Sequence, residues 1–139
     1  MSQSAVIPSL RYKDAPAAIA WLEGVLGFTR HAVYEGPDDT IAHAELRYEG
    51  GMIMLGSVAN ASPMAKYLAQ PAEIQGRSSA PLYLVVADAR VLHARAEAAG
   101  ASIVQALHEA SYGGWGFSCL DPEQHLWSIG EYDPWANKN

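Results

Sequence analysis

The chain repeats one order of elements twice, and this duplication constrains its fold more than any other feature. Each half reads as a strand, a capped helix and three further strands. Asp14 and Asp88, which suit helix N-caps, are separated by 74 positions. Met54 and Ser128, in the middle of each half's last strand, have the same separation. We therefore predict two tandem β-α-β-β-β units.

Hydrophobic periodicity places the elements at corresponding positions in the two halves. The helices begin after Asp14 and Asp88 and end at Gly27 and Gly100, where the separation slips by one residue to 73. Strands are predicted at 6–12, 29–34, 40–48 and 52–56, and again at 82–87, 102–109, 114–121 and 125–132. The predicted fold class is α+β. Its parts are repeat one at 5–57, a linker at 58–80, repeat two at 81–132 and a tail at 133–139.

The linker is long for a plain connection. A short helix is predicted within 62–70, with Ser62 as its cap and Pro63 at its first position. Two interpretations of the linker stay open at this point. It could be a lid over a cavity, or a surface connection between the repeats.

Composition excludes several classes of function. The net charge is −6 and the nine Lys and Arg residues are scattered, which argues against a nucleic-acid partner. No apolar run is long enough to span a bilayer, and no signal peptide is visible. Cys119 has no second cysteine to pair with, which fits a reducing compartment. We predict a soluble, cytoplasmic protein with no membrane partner.

The second half ends in "YGGWGFSCLDPEQHLWSIGEYDPW", residues 112–135. With the duplication, this segment resembles the vicinal oxygen chelate superfamily, which includes glyoxalase I, fosfomycin and bleomycin resistance proteins and extradiol dioxygenases. The sharpest match is Asp-Pro-Glu-x-His-Leu-Trp at 121–127. The tail is most similar to the glyoxalase-like branch of PhnB-type proteins. The matching segment there commonly reads Tyr-Gly-Ser-Arg, and here its last two positions hold Gly114 and Trp115.

The resemblance implies curved mixed sheets around a cavity, helices outside, and a homodimer. It also implies where a divalent metal would be held in metal-dependent relatives. Those positions are Ile7, Met54, Pro81 and Ser128. These four side chains do not suit a hard or borderline divalent cation. Shifting the alignment by one residue in either direction does not give a metal site either. We therefore expect no divalent metal and no other cofactor.

Two groups of residues are candidates for lining the cavity. His43, Glu45 and Arg47 alternate along one strand and share a face, which could be a charged solvent face or a polar cavity wall. A His/Glu pair could also perform general acid–base chemistry. Trp115 and Phe117, with nearby Tyr112, could be ordinary core or the lining of an apolar pocket.

The function predicted from these features is metal-independent binding of a small organic molecule in an apolar cavity. The acidic net charge, and the cationic ligands of the bleomycin-binding proteins that the chain resembles, favour a cationic or aromatic ligand. One alternative is a metal-dependent glyoxalase-like lyase, isomerase or dioxygenase with other ligands. Another is an interaction module with no small ligand.

Overall fold

The structure, a computed structural model that describes residues 3–136, follows the predicted order of elements. The first unit comprises β1 (Ser9–Tyr12), α1 (Ala15–Trp21), β2 (Thr29–Glu35), β3 (Ile41–Tyr48) and β4 (Gly51–Ser57). The second comprises β5 (Leu82–Val85), α2 (Ala89–Ala98), β6 (Ser102–Glu109), β7 (Trp115–Leu120) and β8 (Leu126–Gly130). Asp14 and Asp88 cap the helices as predicted, since each carboxylate accepts a backbone N–H of the first turn.

The two units form two four-stranded mixed sheets with equivalent strand orders. The orders are β1-β4-β3-β2 and β5-β8-β7-β6, and in each sheet the first pair is parallel. Ser9 pairs with Met54 in one sheet, and Tyr83 pairs with Ser128 in the other. Each residue of the second pair therefore lies 74 positions after its counterpart in the first. The predicted duplication and the α+β fold class are therefore confirmed.

The one-residue slip between Gly27 and Gly100 has a local cause. The last turn of the first helix, Leu22–Leu26, is π-helical, whereas α2 is α-helical along its length. A π turn accommodates one extra residue, so the first helix needs one more residue to reach its terminal glycine. The turn between β7 and β8 is longer than the turn between β3 and β4. This difference restores the separation of 74 between corresponding residues of β4 and β8.

The helices cover one face of each sheet and leave the other face open. Along each strand, side chains alternate between the two faces. The covered face of the first sheet carries Leu46, Ile53 and Leu55, all at most 4% exposed. The covered face of the second carries Phe117, Cys119, Trp127 and Ile129, with His93 of α2 against the Phe117 ring. The core therefore lies between helices and sheets, and the open faces are where a ligand could bind.

The turn between β7 and β8 joins the two units through a buried carboxylate. Asp121, only 4% exposed, accepts the hydroxyl proton of Tyr12 at 2.5 Å and the indole N–H of Trp127 at 3.1 Å. Its other oxygen accepts the backbone N–H groups of Glu123 and His125, both at 3.0 Å. Burial, and then the nearby Asp121 charge, raises the pKa of Tyr12 well above 10.0.

Glu123 in the same turn reaches the start of the first helix. Its carboxylate accepts the backbone N–H groups of Lys13 at 2.7 Å and Asp14 at 2.8 Å. These donors precede the first helical turn, where backbone N–H groups lack helical partners. The "DPEQ" segment is therefore both a hairpin turn and a link between units.

The helix predicted within 62–70 is wrong. The segment forms a three-residue 3-10 turn, Ala65–Tyr67, and a second short turn follows at Pro71–Ile74. Ser62 accepts the N–H of Met64 but caps no helix. Residues 63–69 are all exposed, so an α-helix here would bury no apolar face.

The start of the first strand also differs from the predicted pattern. The first strand begins at Ser9 rather than at residue 6. In the predicted tail, Trp135 is 88% exposed, and residues 137–139 lie outside the described residues. Within residues 3–136, no helix has the length and apolarity needed to cross a membrane.

Candidate ligand-binding site

A recess of about 270 Å³ lies on the open face of the second sheet. Its floor is formed by the central strands β7 and β8, and its walls by β5, β6 and the loops that flank β7 and β8. Tyrosines, hydroxyl groups and glycines dominate its lining. The polar and aromatic side chains of the lining include Tyr83, Gln105, Tyr112, Ser118, Ser128 and Glu131.

Two paired glycines leave room for the recess. Gly116 on β7 and Gly130 on β8 are cross-strand partners, so no side chain rises from the floor at this point. A Cβ atom on Gly130 would lie 2.6 Å from the hydroxyl of Tyr83. The Tyr83 ring instead crosses the space and donates its hydroxyl proton to the carbonyl of Tyr132 at 2.7 Å. The glycine pair therefore sets both the depth of the recess and the position of one wall.

A short hydroxyl and amide network lies beside the glycines. The Ser118 and Ser128 hydroxyls are hydrogen-bonded at 2.9 Å, and Ser118 also donates to the Gln105 side-chain oxygen at 3.3 Å. Ser118 is buried and Ser128 is half-buried. These neutral donors and acceptors can orient a carbonyl, amide or hydroxyl of a ligand.

The wall at the other end of the recess is aromatic and acidic. The rings of Tyr112 and Tyr132 meet edge to face, with centroids 5.1 Å apart. Glu131, which also borders the recess, accepts the backbone N–H of Trp115 at 3.0 Å and that of Ala89, the first residue of α2, at 2.9 Å. These two bonds hold the carboxylate in place at the edge of the recess.

The predicted aromatic residues divide between the two faces of the second sheet. Tyr112 lies at the recess and is 71% exposed. Trp115 and Phe117 border the recess, but their rings lie on the helix-covered face. Phe117 packs against His93, and the Trp115 ring lies 5.3 Å from the Arg90 guanidinium of α2. Direct stacking of a ligand on these two rings is therefore unsupported, whereas Tyr112 is accessible.

His43, Glu45 and Arg47 share the open face of the first sheet, away from this recess. His43 donates to Glu45 at 2.9 Å, and His31 lies 3.9 Å from the other oxygen of the same carboxylate. The Tyr34 ring stacks on His43 at 6.2 Å. Arg47 instead borders a second recess beside Tyr48 and Arg95. The six predicted lining residues are thus not brought together at one site, and their role in ligand binding stays a prediction.

Ile7, Met54, Pro81 and Ser128 are the positions at which the resemblance implies metal ligands in metal-dependent relatives. Met54 and Ser128 occupy equivalent places on the last strands, on the open faces. Ile7 and Pro81 precede β1 and β5. Hydrocarbon, thioether and neutral hydroxyl groups do not form a site for a divalent ion. Among residues 3–136, no cluster of three or more His, Cys, Asp or Glu residues is arranged to hold a metal.

Cys119 does not provide a nucleophile for this face. It is fully buried on the helix-covered side of β7. Burial, with a further contribution from Asp121, raises the pKa of its thiol to about 11. The neutral thiol therefore prevails at physiological pH, and Cys119 acts as a small packing residue.

Several residues of the recess were not found by reading the sequence. Tyr132 and Glu131 were assigned simply to the last strand, and Gly116 and Gly130 were not recognised as a pair. The available signal was the spacing: with the turn placed at 121–125, the two glycines lie in register across the hairpin. Their proximity to Tyr83 could not be predicted without the parallel pairing of β5 with β8.

Comparisons with known proteins agree with this architecture. Proteins of Mycobacterium bovis and Mycobacterium tuberculosis, both described as uncharacterized, are 29% identical over 129 residues, which is 93% of this chain and 84% and 75% of theirs. The crystal structure of TioX from Micromonospora sp. ML1 is 28% identical, with a TM-score of 0.68 over 94% of this chain and 99% of that one.

A more distant structure shares the fold. The fosfomycin resistance protein FosX from Listeria monocytogenes is 13% identical, with a TM-score of 0.67 over 96% of this chain and 97% of its own. The narrower PhnB-type branch stays a prediction. Residues 5–129 match the family model of the glyoxalase/bleomycin resistance protein/dioxygenase superfamily. The chain therefore belongs to this superfamily.

Proposed function

We propose that this protein binds a small organic molecule, without a metal ion, in the recess of the second sheet. One observation carries the proposal. At a position where metal-dependent relatives hold their ion, Ser128 is hydrogen-bonded to Ser118 at 2.9 Å on the floor of the recess. A neutral hydroxyl pair offers hydrogen bonds to a ligand but no charge to a cation such as Zn²⁺ or Mn²⁺.

The arrangement of the recess supports a ligand with an apolar body and few polar groups. Tyr83 and Tyr112 offer ring surface, while Ser118, Ser128 and Gln105 offer directed hydrogen bonds. Pockets that bind small molecules commonly combine such surfaces.

The proposal is tested by a thermal-shift screen of untagged protein against small aromatic cations and α-keto compounds, with and without EDTA. We expect at least one compound to raise the thermal unfolding midpoint equally with and without EDTA, because a ligand that binds only the folded state stabilises it. A stoichiometric divalent ion that survives chelation would contradict metal independence and favour a lyase or dioxygenase. The absence of any shift would favour an interaction module.

Replacing Ser128 with valine should weaken the best binder of that screen. The change replaces the hydroxyl by two methyl groups, which removes the hydrogen bonds and adds bulk to the floor, so the affinity should fall at least about tenfold, or roughly 1.4 kcal/mol. Isothermal titration calorimetry measures the change. Met54→Leu is the matched control, because Met54 occupies the equivalent position on the first sheet. Equal affinity of Ser128→Val and the unmodified protein would place the binding site elsewhere.

We also propose that the protein is a homodimer. The superfamily resemblance implies pairing, and several large apolar side chains of the described surface are exposed, among them Val6 at 82% and Trp135 at 88%. Light scattering after size exclusion should give twice the 14.9 kDa of one chain. A mass of one chain across the micromolar range would refute this. Cytoplasmic location and the absence of a nucleic-acid partner stay predictions.

A further inference from the structure

The aromatic end of the recess is a corner made by three tyrosines. Tyr112 and Tyr132 meet edge to face at 5.1 Å, and the Tyr83 hydroxyl is fixed on the Tyr132 carbonyl at 2.7 Å. The hydroxyl bond brings the third ring to the same end of the recess. Tyr112 is 71% exposed and Tyr83 is 47% exposed, so ring surface of both is accessible to a cation.

The charged residues on either side of Tyr132 are both acidic. Glu131 borders the recess, and Asp133 follows one residue after Tyr132. Asp133 lies close enough, with Tyr112 and Tyr132, to add to the rise in the pKa of Tyr83 that burial causes. Among the residues that line the recess in the described chain, none is Lys or Arg. The lining includes the imidazole of His108, whose Nδ1 contacts the Ala106 carbonyl at 2.9 Å. The corner therefore favours a positive group over an anion.

The arrangement also distinguishes between kinds of cation. Each oxygen of Glu131 already accepts one backbone N–H, so part of its hydrogen-bonding capacity is used within the protein. A primary ammonium needs three acceptors to replace its water, whereas an alkylated ammonium donates few or no hydrogen bonds. Ring faces and a nearby carboxylate suit the alkylated group better.

We infer that the ligand of this recess carries an alkylated ammonium group, which sits in the corner of Tyr83, Tyr112 and Tyr132 beside Glu131. The inference rests on the proposed function and adds the chemical class of one end of the ligand. The Ser118 and Ser128 hydroxyls then face the uncharged part of the same molecule.

Three small probes test the inference, and the first two are of nearly equal size. Choline carries a quaternary ammonium, 3,3-dimethyl-1-butanol is its uncharged isostere, and ethanolamine carries a primary ammonium. Each is titrated into ¹⁵N-labelled protein while the amide signals of Gly113, Gly114 and Gly116 are followed. We expect choline to bind roughly 5- to 30-fold more tightly than the uncharged isostere, as cation–π attraction in a partly desolvated site predicts. Choline should also bind more tightly than ethanolamine.

Variants of one exposed tyrosine assign the effect to the corner. Tyr112→Ala should reduce the preference for choline over its isostere at least threefold, and Tyr112→Phe should retain it, because the ring rather than the hydroxyl makes the contact. Tyr67→Ala is the matched control, since Tyr67 is also 71% exposed but lies in the linker. Retention of the preference in Tyr112→Ala would overturn the assignment.

The other outcomes separate this inference from the proposed function. Equal affinity for choline and its isostere, or tighter binding of ethanolamine, would overturn the alkylated-ammonium inference and leave ligand binding intact. Movement of the glycine signals by an aromatic compound but by none of the three probes would do the same. If neither these probes nor any compound of the screen moves those signals, both the inference and the proposed function are overturned.

Discussion

Replacing Asp121 with alanine is expected to lower the free energy of unfolding by about 3–5 kcal/mol. The carboxylate is buried and accepts four hydrogen bonds, two of them from the Tyr12 hydroxyl and the Trp127 indole. Alanine would leave these two donors buried without their acceptor and would remove one of the links between the β7–β8 turn and β1. Urea unfolding followed by tryptophan fluorescence measures the change.

Two milder variants keep this prediction testable if the alanine variant does not fold. Asp121→Asn retains one oxygen for the backbone donors and should cost about 1–3 kcal/mol. Tyr12→Phe removes a single donor and should cost about 1–2 kcal/mol. Glu35→Ala, at an exposed acid of β2, is the control and should change stability by less than about 0.5 kcal/mol. If Asp121→Ala behaves like Glu35→Ala, the carboxylate does not join the two units.

Alkaline titration gives a second measure of the same contact. The folded protein holds the Tyr12 proton more tightly than the unfolded chain, because burial beside Asp121 raises the Tyr12 pKa above 10.0. Its contribution to stability is complete below pH 10 and is lost as the pH rises toward the folded-state pKa. Cys119, with a pKa of about 11, adds to the loss from about pH 9 upward. Tyr12→Phe should therefore lose less stability above pH 10 than the unmodified protein.

Replacing Gly130 with valine is expected to weaken ligand binding about a hundredfold or more, or roughly 2.7 kcal/mol. Its Cβ would lie 2.6 Å from the Tyr83 hydroxyl and would displace that ring from the wall. The branched side chain would also rise from the floor into the recess. Valine suits a strand, and Tyr83 can swing outward because it is 47% exposed. We therefore expect folding to be retained while binding of the best screened compound is lost.

Three further variants and two measurements of folding separate this steric effect from a general loss of structure. Gly130→Ala should weaken binding less than valine, and adding Tyr83→Ala to it should relieve the contact at the hydroxyl. Tyr83→Phe alone removes the hydrogen bond to Tyr132 and keeps the ring. A circular dichroism spectrum and an unfolding midpoint close to those of the unmodified protein show that the fold persists. Unchanged affinity in Gly130→Val would show that the ligand does not occupy this recess.

The local features of the fold could be read from the chain because they depend on neighbours in sequence. Asp14 and Asp88 supply the side-chain oxygens that the first helical turns require, and the terminal glycines tolerate the backbone conformation at the helix ends. Alternation along β3 placed His43, Glu45 and Arg47 on one face. The helix predicted in the linker does not form, because that segment has turn residues but no apolar face to bury.

The positions that the family resemblance implies for a metal could be listed from the sequence. Ile7, Met54, Pro81 and Ser128 lie at equivalent places in the two units, and their chemistry follows from residue type alone. The period of two put Trp115 and Phe117 on a common face, but it could not say which face the helices cover. Which face is covered depends on how α2 packs against the sheet. In the structure α2 covers the face that carries Trp115 and Phe117, so both rings lie in or against the core.

The sequence by itself determined the duplicated β-α-β-β-β order, the helix caps and the residues at the family's metal positions. Tertiary structure alone decided that Tyr83, Tyr112, Tyr132 and Glu131 surround one recess and that Asp121 joins the two units. The first set depends on residue type and short-range spacing. The second depends on strand pairing and on contacts between residues as far apart in sequence as Tyr12 and Asp121, which no local period encodes.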